Sequence, residues 1–294
     1  SASSLQDEID EAFDDSPSLI KKPELLDFED EEDYCQDCIY GYNFFKFSPS
    51  TFVPLNDTPV NSSYILGPGD ELEISFYGSI DDTIKTLINR EGKVILPDIG
   101  PVNFLGMSFK DATEYLKNKV KTELIGVNVN MSIMQIRSIG IYVLGEAYKP
   151  GKYVFSGLSS VTNALFVSGG VSEKGSLRNI QILRNNKKVA TYDFYDFLTK
   201  GSLENEVKLQ DGDVIFIPFF ENTVQLGGAF KRPHKYEFLP GETIQDAIDL
   251  AGGFDSKVMP NTRLELSSID RNASKRRITY LDASEDINVI LSDR

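Results

Sequence analysis

Between Tyr64 and Gly78 the chain reads YILGPGDELEISFYG. Leu72, Ile74 and Phe76 alternate with Glu71, Glu73 and Ser75, a period of two that predicts a strand with one buried face. Gly67-Pro68-Gly69-Asp70, just before it, predicts a tight turn, because Pro68 presets φ and the flanking glycines accept positive φ. Further on, Arg90–Lys93 predicts a turn, Val94–Pro97 a short strand, and Ile99–Val102 a bend with another strand. Phe109, Ala112, Leu116 and Val120 then recur at helical spacing behind Ser108, a favourable N-cap. Val127, Val129, Met131 and Ile133 alternate with Asn128, Asn130 and Ser132 and predict one more strand.

The second half of the chain repeats itself. Leu144-Gly145-Glu146-Ala147-Tyr148-Lys149 aligns with Leu226-Gly227-Gly228-Ala229-Phe230-Lys231 at an offset of 82, and an inserted residue near Arg232 moves the offset to 83. Pro150, Tyr153, Phe155, Val161, Ala164, Leu165, Gly169 and Gly170 then align with Pro233, Tyr236, Phe238, Ile244, Ala247, Ile248, Gly252 and Gly253. Each unit reads as a strand, a Pro turn, a returning Tyr-x-Phe strand and a short helix. Ser160 or Thr243 caps the helix, and a Gly-Gly pair ends it in left-handed backbone. The first unit continues through strands at Ile180–Leu183 and Val189–Tyr192, a helix at Phe194–Leu198, an Asp211-Gly212-Asp213 turn and a strand at Val214–Ile217. The second continues through Leu264–Leu266 and Ile278–Tyr280. It shows no closing D-G-D-V-x-x-x-P string, so it reads as cut short. A hairpin followed by a packed helix and further strands is the β-grasp pattern.

Charge changes the reading of the N-terminus. Residues 1–33 carry thirteen acids against Lys21 and Lys22, so −11 of the net −15 lies there. With few aromatics and no sustained period, this stretch predicts a disordered or extended acidic arm. Leu5, Ile9 and Phe13 leave a short amphipathic helix open, and docking on a neighbouring subunit is the functional alternative to a solvated tail. Tyr40–Pro59, aromatic but broken by Pro, predicts an extended surface segment, with Phe44, Phe45, Phe47 and Phe52 anchoring it to the domain that follows. An acidic chain repels phosphate backbones and anionic headgroups, so no nucleic-acid partner is expected. No run of eighteen apolar residues predicts a membrane helix, and no leader pattern opens the sequence.

Candidate chemistry is sparse. Cys35 and Cys38 form a lone C-x-x-C, half of a zinc site at most and without a thioredoxin-like context, so a local disulfide in an oxidising compartment is expected, with free thiols as the alternative. His234, the one histidine, takes the place of Gly151 in the repeat and reads as a solvent-facing turn residue. The glycine pairs follow helices rather than precede them, so they are not phosphate loops, and no Walker or Rossmann string is present. No catalytic, cofactor-binding or metal-binding residue is assigned, and the chain reads as a non-enzyme. Tyr148-Lys149 and Phe230-Lys231 read as equivalent hairpin tips. They are either glycan or subunit contacts, or rings that cover the edge of their own small cores.

The segment from Tyr64 to Leu72 resembles the Y-x-L-G-P-G-D-x-L opening of the outer-membrane polysaccharide export family. Gly92–Gly100 matches that family's G-x-V-x-L-P-x-I-G element, and Gly106-Met107-Ser108 its approach to the helix. The resemblance implies an α+β chain. An acidic N-terminal arm (1–33) and an extended aromatic segment (34–63) would precede a small mixed export domain (64–136). Two β-grasp soluble ligand-binding (SLBB) domains would follow (137–219 and 220–294), the second truncated. It further implies a non-enzymatic subunit of a capsule or exopolysaccharide export conduit, in the periplasm at the outer membrane of a Gram-negative bacterium. Such a subunit would form a homo-oligomeric ring and work with polysaccharide and an inner-membrane co-polymerase. Outer-membrane contact would come through parts outside this sequence. The competing class is a periplasmic SLBB glycan-binding module that forms no pore. A polysaccharide lyase or hydrolase is the third.

Overall fold

The alternation at Leu72, Ile74 and Phe76 builds the first sheet. In the computed structural model, which describes residues 38–46, 60–256, 263–270, 275–282 and 290–291, β1 (Glu71–Gly78) buries these three side chains. Strand β1 lies between β2 (Asp82–Leu87) and β5 (Val127–Gln135), antiparallel to both. A hairpin of β3 (Lys93–Leu96) and β4 (Gly100–Asn103) supplies Val94, Leu96 and Val102 to the same core. Helix α2 (Phe109–Glu123) closes it with Ala112, Leu116 and Val120. Its cap is Ser108, whose hydroxyl accepts from Asp111 N. Before it in the chain, α1 (Tyr42–Lys46) is a single helical turn.

The first repeat unit folds as a five-stranded sheet in the order β7-β6-β10-β8-β9. Its strands are β6 (Ser138–Gly145), β7 (Gly151–Ser156), β8 (Ile180–Arg184), β9 (Lys187–Tyr192) and β10 (Val214–Ile217). Helices α3 (Val161–Val167) and α4 (Phe194–Lys200) accompany it. The Asp-Gly-Asp turn aims β10 into the middle of the sheet, parallel to β6 and antiparallel to β8. Asp211 accepts from Gly140 N at 2.7 Å. Asp213, fully buried, takes Arg184 in a two-point ion pair at 2.8 and 2.8 Å. Gly145 is required beside this strand: a Cβ there would meet the Ile217 carbonyl at 2.2 Å.

The second unit repeats the opening with β11 (Asn222–Gln225), β12 (Lys235–Phe238) and α5 (Ile244–Leu250). A separate hairpin, β13 (Arg263–Asp270) with β14 (Lys275–Asp282), follows. Ser160 and Thr243 both stand at the N-caps with Asn163 and Asp246 completing capping boxes. Both Gly-Gly pairs have positive φ, as expected.

The structure corrects the repeat register. Ile139 pairs with Phe155 and Ile141 with Tyr153, while Asn222 pairs with Phe238 and Val224 with Tyr236. Those pairs are related by 83 residues, with no insertion near Arg232. The amide of Tyr148 donates to Gly170 O, and its counterpart is Lys231 N donating to Gly253 O. The structural partner of Tyr148 is therefore Lys231, and that of Phe230 is Ala147. The Leu-Gly-x-Ala strings match by letter, but the ladder and the buried face set the pairing.

Two further expectations change. Phe44 and Phe45 sit on α1 and dock on the first repeat unit, not on the sheet of β1, β2 and β5. Phe45 stacks on Phe194 at 4.8 Å between ring centroids, and Phe44 lies 6.0 Å from Phe197. His234 is half-buried beside Tyr40, 5.8 Å between rings, rather than turned to solvent. The acidic arm, the Leu5-Ile9-Phe13 stretch, Phe47 and Phe52 lie outside the described residues. Among the described residues no helix is long and apolar enough to cross a membrane.

Candidate functional site

The Gly-Pro-Gly-Asp turn is a binding post for the chain that leaves β5. Asp70 is fully buried, yet its carboxylate accepts four hydrogen bonds. They come from Tyr64 Oη (2.8 Å), Gly67 N (2.9 Å), Arg137 N (2.9 Å) and Arg137 Nη1 (2.7 Å). A buried carboxylate is tolerable only with such full pairing. Arg137 Nη1 also donates to Tyr64 Oη at 3.0 Å, and the guanidinium lies 5.5 Å from the centre of the Tyr64 ring. A Cβ on Gly67 would stand 2.8 Å from Arg137 Nη1, so the glycine makes room for the cation. Burial, then the charge of Asp70, pushes the Tyr64 hydroxyl well above the usual tyrosine range. Arg137 belongs to the connection between β5 and β6, so this knot fixes the first sheet to the first repeat unit.

A second knot joins the two repeat units. Arg178, nearly buried, forms ion pairs with Asp193 at 3.0 Å and Glu242 at 2.7 Å and lies 5.1 Å from the centre of the Tyr195 ring. Glu237 on β12, only 2% exposed, accepts from Ser176 Oγ at 2.5 Å and Leu177 N at 2.8 Å. Burial raises the pKa of Glu237, and the hydrogen bonds from Ser176 and Leu177 N oppose the rise. Burial likewise raises Asp193 against the pull of Arg178. The Cys38–Lys46 segment spans the same junction. Ile39 pairs in parallel with Lys235 on the edge of β12, and Tyr40 N donates to Lys235 O at 2.7 Å. Tyr42 Oη donates to Gly175 O. Cys38 is buried and disulfide-bonded; Cys35 lies outside the described residues.

The ion pairs of the knots escaped the sequence reading because they span long stretches of chain, 67 residues from Asp70 to Arg137 and 64 from Arg178 to Glu242. One trace of the second knot was available. At the true offset Glu237 stands where the first unit has Val154, and Val154 is 71% exposed while Glu237 is buried. A carboxylate between the core residues Tyr236 and Phe238 marks a partner docked on that strand.

The hairpin-tip residues are not alike. Tyr148 is 62% exposed, lies against Gly169 and has Lys149 Nζ 5.9 Å from its ring centre. Phe230 is half-buried and stacks on Phe254 at 5.2 Å, at the edge of the second unit's core. Lys149 and Lys231 are exposed. The four residues occupy two separate tips and form no joint site.

Beside the first knot lies a cleft of about 420 Å³. Asn61, Tyr64, Arg137, Asn163, Lys208 and Gln210 are among the residues that line it. Among the described residues no group of three or more His, Cys, Asp or Glu side chains could hold a metal.

Known families match the chain in three consecutive stretches. The polysaccharide biosynthesis/export protein family matches residues 58–134. SLBB domains match 140–217 and 223–274. Two curated relatives from Escherichia coli, each named polysialic acid transport protein KpsD, are 32% identical over 181 residues, covering 60% of this chain and 32% of the relative. The chain thus spans about a third of the length of the curated relatives it matches.

Proposed function

We propose, for a chain that belongs to the outer-membrane polysaccharide export family, with its export domain followed by two SLBB domains, that it is a subunit of the conduit that carries capsule or exopolysaccharide across the outer membrane. The observation that carries the reading is the pair of buried ion-pair knots at the two domain junctions. A conduit wall must hold its successive domains in fixed register against a moving polymer, and buried ion pairs supply orientation that surface contacts do not. The relatives' printed activity, polysialic acid transport, makes an acidic polymer the leading cargo. The work is passage, not bond-breaking, and we assign no catalytic residue.

The same reading places the protein in the periplasm against the outer membrane, as a homo-oligomeric ring working with an inner-membrane co-polymerase. A disulfide closing Cys38 on Cys35 suits that oxidising compartment. Tyr148 and Lys149 are offered as subunit or glycan contacts, being exposed. At the other tip Phe230 packs on its own core, which leaves Lys231 as the exposed contact there.

The test is genetic. Deleting the gene should strip polymer from the cell surface while polymer persists inside the envelope, and the full-length protein supplied in trans should restore it. Undiminished surface polymer in the deletion strain would overturn the proposal. A full-length protein that binds glycan as a monomer and is dispensable for export would point instead to the pore-free SLBB binding module.

A further inference from the structure

The cleft at the first knot has a composition unusual for this chain. The protein carries a net charge of −15, yet the cleft wall presents two cations, Arg137 and Lys208, and no carboxylate. Two acids lie close by: Asp70, fully buried and saturated by four hydrogen bonds, and Glu206, which accepts from the Ser160 hydroxyl beside Asn163. Arg137 spends Nη1 on Asp70, Tyr64 and the Ile65 carbonyl, while its Nε and Nη2 make no hydrogen bond among the described residues. Its guanidinium is thus held in place from behind with donors left over.

The amides on the wall are arranged the same way. Asn163 Oδ1 accepts from Ser160 N at 3.0 Å and lies 2.9 Å from the Ser160 hydroxyl, which also reaches Glu206, while Asn163 Nδ2 makes no hydrogen bond among the described residues. Asn61 uses Oδ1 to accept from Ser62 Oγ at 3.4 Å and Ser63 N at 3.0 Å, again keeping Nδ2. The Lys208 ammonium spends one donor on the Leu158 carbonyl at 3.4 Å and keeps the others, so the unspent hydrogen-bonding capacity is mostly donor. Besides Ser63, the remaining lining is mainly apolar, with Tyr64, Ile65, Leu158 and Leu209. A donor-rich cleft with two cations on its wall fits a ligand that is rich in acceptors and anionic. About 420 Å³ falls in the range of small-ligand pockets, roughly 300–1,000 Å³.

We infer that this cleft, between the export domain and the first SLBB domain, binds a carboxylate-bearing saccharide, one or two sugar residues at a time. Arg137 and Lys208 take the carboxylate, and the side-chain amides of Asn61, Asn163 and Gln210 take ring hydroxyls. The inference rests on the polysaccharide-export reading for its ligand class and adds to it a place and a charge preference.

The test uses tetragalacturonate as probe, with its methyl ester as a neutral counterpart of the same ring chemistry and acetate as a bare carboxylate. Binding to the chain would be followed by calorimetry and by amide chemical-shift changes. The expected result is saturable binding of tetragalacturonate that weakens with salt and shifts the amides of Asn163, Lys208 and Gln210. The methyl ester and acetate should bind at least tenfold more weakly. Lys208→Gln should weaken tetragalacturonate binding at least fivefold and Lys208→Arg should restore it, while Lys187→Gln, at an exposed lysine outside the cleft, should leave it unchanged. Thermal unfolding of Lys208→Gln should match the parent, since this side chain lies exposed. Equal affinity for the methyl ester, shifts confined to another surface, or indifference to Lys208→Gln would each overturn the assignment. Loss of export on gene deletion together with failure of these binding arms would reject the cleft alone. Saccharide binding in the cleft with export intact in the deletion strain would keep the site and reject the conduit.

Discussion

Replacing Asp70 by alanine should be among the most damaging single changes in the export domain. The substitution removes a carboxylate that is fully buried and accepts four hydrogen bonds. It leaves the Tyr64 hydroxyl, the Gly67 and Arg137 amides and one face of the Arg137 guanidinium without their acceptor. Breaking a buried ion pair by removing one partner typically costs about 3–5 kcal/mol. With a urea dependence of about 2 kcal/mol/M, the midpoint of the export domain should fall by roughly 2 M. Because several domains share the chain, native-state hydrogen exchange is the appropriate assay. Amides in β1, β5 and α2 should lose protection together, while those in β8 and β9 keep theirs. Arg137→Met should cost less, since Asp70 retains three donors, and the double variant should cost less than the sum of the singles by about 0.5–3 kcal/mol. A loss under about 1 kcal/mol for Asp70→Ala, or strict additivity with Arg137→Met, would refute the view that this turn is built around a buried ion pair.

Arg178→Ala should uncouple the two SLBB domains, because it strands Asp193 and Glu242 at a buried junction; faster proteolysis between them would register this, and unchanged cleavage would count against it. The folded-state pKa of Glu237 is raised by burial. Between the ordinary glutamate value and that higher one the folded state holds the extra proton, so stability falls as pH rises through this window. Glu237→Gln removes that titration, so its stability relative to the parent should improve as pH rises from about 4.5; thermal scans across pH would show a constant difference if the reasoning fails. Phe45→Ala should cost about 3–5 kcal/mol, the usual loss for a buried phenylalanine, and should free Cys38–Lys46 for proteolysis. Gly170→Ala should do similar harm, since its φ is +85° and a Cβ would lie 2.1 Å from the Phe45 ring; a wild-type melting profile for either variant would contradict the docking of α1.

Local pattern carried much of the fold. The alternation in β1 and β5, the Ser108 cap and the twin helix caps are all short-range effects, and each appears where the residues place it. Strand β2 gave little signal because it is an edge strand whose side chains are mostly exposed, and exposed edges impose weak patterning. The repeat register slipped by one at Leu226–Lys231 because identical letters in a turn outweighed the buried face. That slip made Phe230 look like the counterpart of Tyr148. The cleft and both knots were illegible for a different reason: Asp70 with Arg137, and Arg178 with Glu242, are contacts across 67 and 64 residues. No local period encodes such pairs. Of the aromatic segment, Phe44 and Phe45 anchor through a helical turn rather than an extended run, and their target is the aromatic pocket of Phe166, Phe194 and Phe197, which assembles only in the folded unit.

The central claim is that this chain is part of a polysaccharide conduit, and the mass of the full-length protein extracted in detergent tests it most directly. Light scattering should give a closed ring of six or more identical subunits, because an export conduit must enclose its passage. A strict monomer across the accessible concentration range would contradict the conduit.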